Sequence, residues 1–173
     1  MPRHVIVDGY NLLMGSPRYA ADAARDIDAA RERLIADLGA RAAEGERVTI
    51  VFDGASNPVS DGEARHVGGL TVIFSAAGTD ADSVIEALAW GARAAGEETE
   101  IVTSDAATRW TSVGGSVTVT RAAAFSKELD GDERAWHEQH ANGPGRSTVS
   151  DRLEGGVRSR LDRMAGRRKP SDG

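Results

Sequence analysis

The chain has 173 residues, 40% of them hydrophobic, a net charge of −6 and no cysteine. That apolar content can bury a core, which excludes an intrinsically disordered chain, and the absence of thiols excludes disulfides and thiolate metal sites. The charge is uneven: residues 143–173 hold 8 Lys+Arg against 4 Asp+Glu, and the other 142 residues hold 13 against 23, so an acidic body carries a basic tail rather than a surface built uniformly for nucleic acid.

In chain order, residues 4–8 (HVIVD) predict a buried strand that stops at an acid. Residues 26–43 predict a helix with Ile27, Ala30, Leu34 and Leu38 on one stripe. "RVTIVFD" (47–53) predicts a second strand, again ending in Asp. "LTVIFS" (70–75) predicts a third, preceded by a loop that carries Arg65. Residues 80–95 predict a helix with Val84, Leu88 and Ala92 inward and an acidic first turn that suits the helix dipole. "EIVTSD" (100–105) predicts a fourth strand and "SVTVT" (116–120) a fifth. Residues 105–112 read as a short helix, and 121–139 as a longer one with a break point at Gly131. Short Val/Ile-rich strands alternating with helices indicate an α/β layer around a mostly parallel sheet of about five strands. The expected organisation is a domain over 1–140, then a linker (141–148) and a short basic helix with a frayed tail to 173. No apolar run nears the length of a membrane span, and no charged leader with an apolar core opens the chain, so the expected location is the cytoplasm.

Ligands of open parallel sheets bind beyond the carboxyl ends of the strands. Asp8, Asp53 and Asp105 are expected at such ends, and Asp80 and Asp82 at the start of the helix after the third strand, on the same rim. Two carboxylates about 5 Å apart repel by roughly 3 kcal/mol at an effective dielectric near 20, and a divalent cation removes the conflict. Oxygen-only donors favour Mg²⁺ or Mn²⁺ over Zn²⁺, and acids with such an ion point to phosphoryl chemistry. An Asp after a strand also serves as a helix cap or turn residue, a role open to each of these acids taken singly. Other constellations fail on spacing. "HEQH" (137–140) sets its His residues three apart, not four as in a zincin. "GGSVT" is no dinucleotide fingerprint, there is no Walker lysine motif, and Tyr10 stands where an aspartyl-phosphate phosphatase needs a second Asp.

"VDGYN" (7–11), "VFDGAS" (51–56), "VIFSAAGTDADSVIEAL" (72–88) and "IVTSDAATRW" (101–110) occur in that order. Together they resemble the YacP-like NYN domain family of the PIN-like ribonuclease superfamily, over about residues 4–130. The resemblance implies a PIN-like three-layer fold. It also implies a metal-dependent endoribonuclease acting on single-stranded RNA, an mRNA at or near the ribosome, with no DNA and no membrane as partner. By position, Asp8, Asp82 and Asp105 match the family's catalytic acids and Asn11 its paired amide, with Asp53 and Asp80 as further ligands of Mg²⁺ or Mn²⁺. Two positions depart: Ser83 replaces the Glu usual after the helix-start acid, and Asp80 replaces a Thr. Tyr10, Ser104, Arg109 and Arg65 are candidate substrate contacts, and the basic tail a candidate backbone contact. Two other functions fit the same pattern, a catalytically weak RNA- or ribosome-binding module and a small phosphohydrolase.

Overall fold

A computed structural model describes residues 3–54, 60–67, 69–104 and 116–141. Strand β1 (His4–Asp8) lies centrally, paired in parallel with β2 (Arg47–Phe52) on one side and β5 (Thr99–Val102) on the other. Strand β4 (Leu70–Phe74) extends the sheet beyond β2, and β6 (Val117–Thr120) extends it beyond β5, both in parallel. The outermost strand, β3 (Ala64–Val67), runs antiparallel to β4, so the order is β3-β4-β2-β1-β5-β6.

The expected mostly parallel α/β layer is present, with six strands among the described residues where about five were expected. Strand β3 escapes a pattern search because all four of its residues, ARHV, are exposed. An edge strand with polar side chains has no apolar alternation to reveal it. Arg65 therefore sits on a strand and not on a loop.

The two faces are covered differently. Helices α1 (Gly9–Gly15), α2 (Ala20–Arg25), α3 (Ile27–Ala43) and the start of α5 (Ala122–Ala141) share one core with Val5, Val7, Ile50 and Phe52. Helix α4 (Ala81–Ala94) covers the other face, against Ile6, Val51 and Ile101. Neither α1 nor α2 was expected, since seven and six residues are too few to show a helical period. The buried stripe of α4 is Ala81, Ile85, Ala89 and Ala92, with Val84 and Leu88 only half-buried beside it. The helix is thus rotated by about one residue from the expected face, with Ala92 common to both. Helix α5 runs through Gly131 unbroken.

The helix ends are specified locally. Asp26 caps α3 by accepting from the main-chain N–H of Asp28 (3.0 Å) and Ala29 (3.1 Å). At the end of α4, Gly96 adopts φ +70°, which lets Glu97 donate back to Ala92 (2.9 Å) and Gly96 to Arg93 (3.0 Å), the left-handed closure that glycine makes cheap. Elsewhere Ser16 donates to Ser126 (2.6 Å), and Arg18 bridges Asp37 (3.1 Å) and Asp130 (2.5 Å). These bonds tie the segment after α1 to α3 and to the first part of α5. The chain divides into two compact units, residues 1–132 and 133–173. Of the second unit only the end of α5 is described, where His137 pairs with Glu133 at 4.0 Å.

Candidate functional site

Asp8 ends β1 at the carboxyl rim and is 6% exposed. Alternation along the strand sends Val5 and Val7 to the α1–α3 side and Ile6 to the α4 side, so Asp8 follows Ile6. Both of its oxygens accept from Asn11: Oδ1 from the main-chain N–H (3.2 Å) and Oδ2 from Nδ2 (3.0 Å). Asp8 is thereby the N-cap of α1. The cap role and a chemical role are compatible, because a carboxylate holds about four lone-pair sites.

Asn11 does more than cap. Its Oδ1 accepts from the main-chain N–H of Ser104 at 3.2 Å, so one amide joins the end of β1 to the segment leaving β5. That segment is also pinned by Thr103, which is buried and donates its N–H to Thr120 O at 3.1 Å. Gly9 must be glycine, since a Cβ there would lie 2.4 Å from the Phe52 ring. The turn after Asp8 is therefore pressed against the end of β2.

Asp53 follows β2 directly and is exposed. Ser75 holds the chain on both of its flanks: Ser75 N–H donates to Phe52 O (2.9 Å), and Gly54 N–H donates to Ser75 Oγ (2.9 Å). Ser60 Oγ in turn donates to Ser75 O (2.8 Å). The fully buried Ser75 is thus a positioning residue that sequence reading missed. Its only signal was a small hydroxyl residue closing the apolar run "VIFS".

Asp80 caps α4 by accepting from Ser83 N–H at 2.8 Å, and Asp82 lies half-buried in the first turn. Ala81 and Ile85 pack in the same cluster as Ile6. The acidic first turn of α4 therefore begins at the carboxyl rim of the sheet, on the face to which Ile6 and, two residues on, Asp8 belong. These carboxylates are hard oxygen donors, the chemistry of Mg²⁺ or Mn²⁺. Among the described residues, however, no three His, Asp or Glu side chains are grouped closely enough to hold an ion.

Tyr10 is half-buried, with its ring edge-on to Phe52 at 5.2 Å and its hydroxyl accepting from Arg31 at 3.0 Å. Ser104 is exposed beside Asn11. Arg65 is set apart from Asp8: it stands on β3, with β4 and β2 between it and β1, and pairs with Asp61 at 2.6 Å. Hydrogen bonds from Glu63 N–H and Arg65 hold Asp61 below the usual carboxylate range. Asp105, Arg109, the expected helix at 105–112 and the basic tail lie outside the described residues. No described helix is long and apolar enough to cross a membrane.

The model of the YacP-like NYN domain family matches residues 5–166. Two solved structures of Rae1 (YacP) from Bacillus subtilis are similar to this chain. One, of a mutant form of that protein, is 24% identical with a TM-score of 0.67, over 95% of this chain and 99% of that one. The other is 23% identical with a TM-score of 0.59, over 93% and 90%. No curated protein matches the chain. The likeness to the solved structures agrees with the PIN-like α/β fold, and with the family match over most of its length the chain belongs to the YacP-like NYN domain family, a family of PIN-like nuclease domains.

Proposed function

We propose that this protein is a metal-dependent endoribonuclease that cleaves single-stranded RNA, an mRNA in the cytoplasm at or near the ribosome. The observation that carries the reading is Asp8: a carboxylate at the end of the central strand, held through both oxygens by Asn11, with the acidic start of α4 on the same rim. Nuclease domains of this class use divalent metal ions, and the all-oxygen donors suit Mg²⁺ or Mn²⁺. Asp8, Asp82 and Asp105 would hold the ion, with Asp53 and Asp80 adding outer contacts. When bound, such an ion polarises the phosphodiester and activates water.

The chain's own residues prepare the site. Asn11 orients Asp8 without adding charge to an acidic rim, and through Ser104 it sets the exit of β5. Ser75 fixes the backbone on each side of Asp53. The helix dipole of α4 favours negative charge at its N-terminus, where Asp80 caps the helix and Asp82 stands in the first turn.

The test is incubation of labelled single-stranded RNA with Mn²⁺, comparing the wild type with Asp8→Asn and Asp82→Asn. Both substitutions are expected to lower cleavage at least a hundredfold while the fold is retained, a loss typical of removing an essential charge stabiliser. Undiminished cleavage by both variants would reject the assignment. A second reading, a catalytically weak RNA- or ribosome-binding module, draws on Ser83, an exposed residue of the first turn of α4 where the family resemblance leads one to expect Glu. Tight RNA binding by the wild type without cleavage would select it. Hydrolysis of a small phosphomonoester without action on RNA would instead select a phosphohydrolase.

A further inference from the structure

The acidic rim raises a physical question for a nuclease: what receives the negative backbone of the substrate beside so many carboxylates? Arg31 is a cation packed at that rim. It lies in the second turn of α3, and its guanidinium stands over the rings of Phe74 (5.4 Å) and Phe52 (5.8 Å). Those rings are the last residues of β4 and β2, so the charge sits at the carboxyl end of the sheet. Phe52 directly precedes Asp53 and packs on Gly9 and Tyr10, the two residues that follow Asp8.

The head group is held in place on several sides. Nη1 donates to Tyr10 Oη at 3.0 Å, Nη2 bonds the exposed Asp28, and the two rings stack at 24° with centroids 5.1 Å apart beneath it. The side chain remains 23% accessible. A planar guanidinium already oriented by stacking loses little further freedom when it binds a phosphate through paired N–H groups. The exposed bond to Asp28 is weak and screened by salt, so a phosphate oxygen can displace it. Tyr10 then acts by orienting Arg31.

We propose that Arg31 is a backbone-phosphate contact of the RNA site, seated on the Phe52–Phe74 pair and oriented by the Tyr10 hydroxyl. This rests on the endoribonuclease reading above and names a substrate-binding residue for it. The chemistry recognised is a single-stranded phosphodiester backbone, independent of base sequence.

The experiment measures binding of a labelled single-stranded oligouridine RNA to the full-length chain carrying Asp8→Asn, across a salt series. Adding Arg31→Met is expected to reduce the slope of log K against log salt by about 0.7, the value for one single-strand phosphate contact, and to weaken binding about tenfold at low salt. Arg31→Lys, which keeps charge and stem, is expected to retain the slope. Asp28→Asn, which releases the competing acid, is expected to tighten binding two- to threefold. If Arg31→Met binds like its parent, this proposal fails while the nuclease reading stands. If the parent shows no salt-dependent RNA binding, both fail. If Arg31→Met does not fold, the Asp28→Asn arm decides, and unchanged affinity there overturns the proposal.

Discussion

Asn11 grips Asp8 at two points, main-chain N–H to Oδ1 at 3.2 Å and Nδ2 to Oδ2 at 3.0 Å, while its own Oδ1 receives the N–H of Ser104 at 3.2 Å. A three-residue separation in sequence thus sets the orientation of a carboxylate and couples it to a strand more than ninety residues away. The arrangement resembles the outer contacts that aim ligands in metal sites, whose loss costs about 10- to 100-fold in affinity or activity.

Replacing Asn11 by Ala should therefore lower cleavage by that factor with only a small change in stability, about 1–2 kcal/mol for the lost hydrogen bonds. Asn11→Asp should be worse, because a second carboxylate beside Asp8 raises the proton affinity of the pair. The check is the pH profile of single-turnover cleavage: Asn11→Asp should shift the acid limb to higher pH, and Asn11→Ala should lower the plateau.

Ser75 makes a different prediction. Its hydroxyl accepts from Gly54 N–H in a buried setting, and its backbone carries two further bonds. Ser75→Ala orphans that N–H and should cost about 1–3 kcal/mol in urea unfolding. Because Asp53 lies between the two anchored residues, cleavage should respond as well. Thr should restore more of both than Val, which matches Thr in size but lacks the hydroxyl. Equal behaviour of Thr and Val would show that the hydroxyl is not what holds the turn.

His4 gives a pH signature in the fold itself. It is 2% exposed, with Nε2 bonded to Thr49 Oγ1 at 2.9 Å and Nδ1 3.5 Å from Glu97, which also pairs with Arg47 at 2.9 Å. Burial, and then Arg47, push its pKa below the ordinary 6.5, with Glu97 opposing. Well above pH 6.5 His4 is neutral in both states and contributes no pH dependence. As the pH falls through 6.5, the unfolded chain takes up a proton that the folded chain refuses. Stability then drops, at most by about 1.4 kcal/mol per pH unit, until the pH passes the folded pKa. Urea midpoints of wild type and His4→Gln between about pH 7.5 and 5 should diverge with that sign. Parallel curves would show that His4 titrates alike in both states.

The amino-acid sequence by itself determined the layered α/β class, four of the six strands to within about two residues, and the family. It could do so because buried parallel strands are unbroken apolar runs and because "VDGYN" and its companions are local signals. The bounds of α3 and α4 were legible to within about one residue, and the groups that close them, Asp26, Asp80 and Gly96, act within a few residues of themselves. Only the tertiary structure decided the rest. The antiparallel edge strand β3 has no apolar pattern to betray it. The inward face of α4, Ala81, Ile85, Ala89 and Ala92, was set by packing on Ile6, Val51 and Ile101 from three different strands. Ser75 and Arg31 gained their roles from partners far away in the chain, Gly54 for the one and Phe52 and Phe74 for the other. Periodicity and capping are short-range interactions written into neighbouring residues. A contact across the rim of a sheet exists only once the strands have taken their order, which is why Asn11, three residues from Asp8, could be named in advance and Ser75 and Arg31 could not.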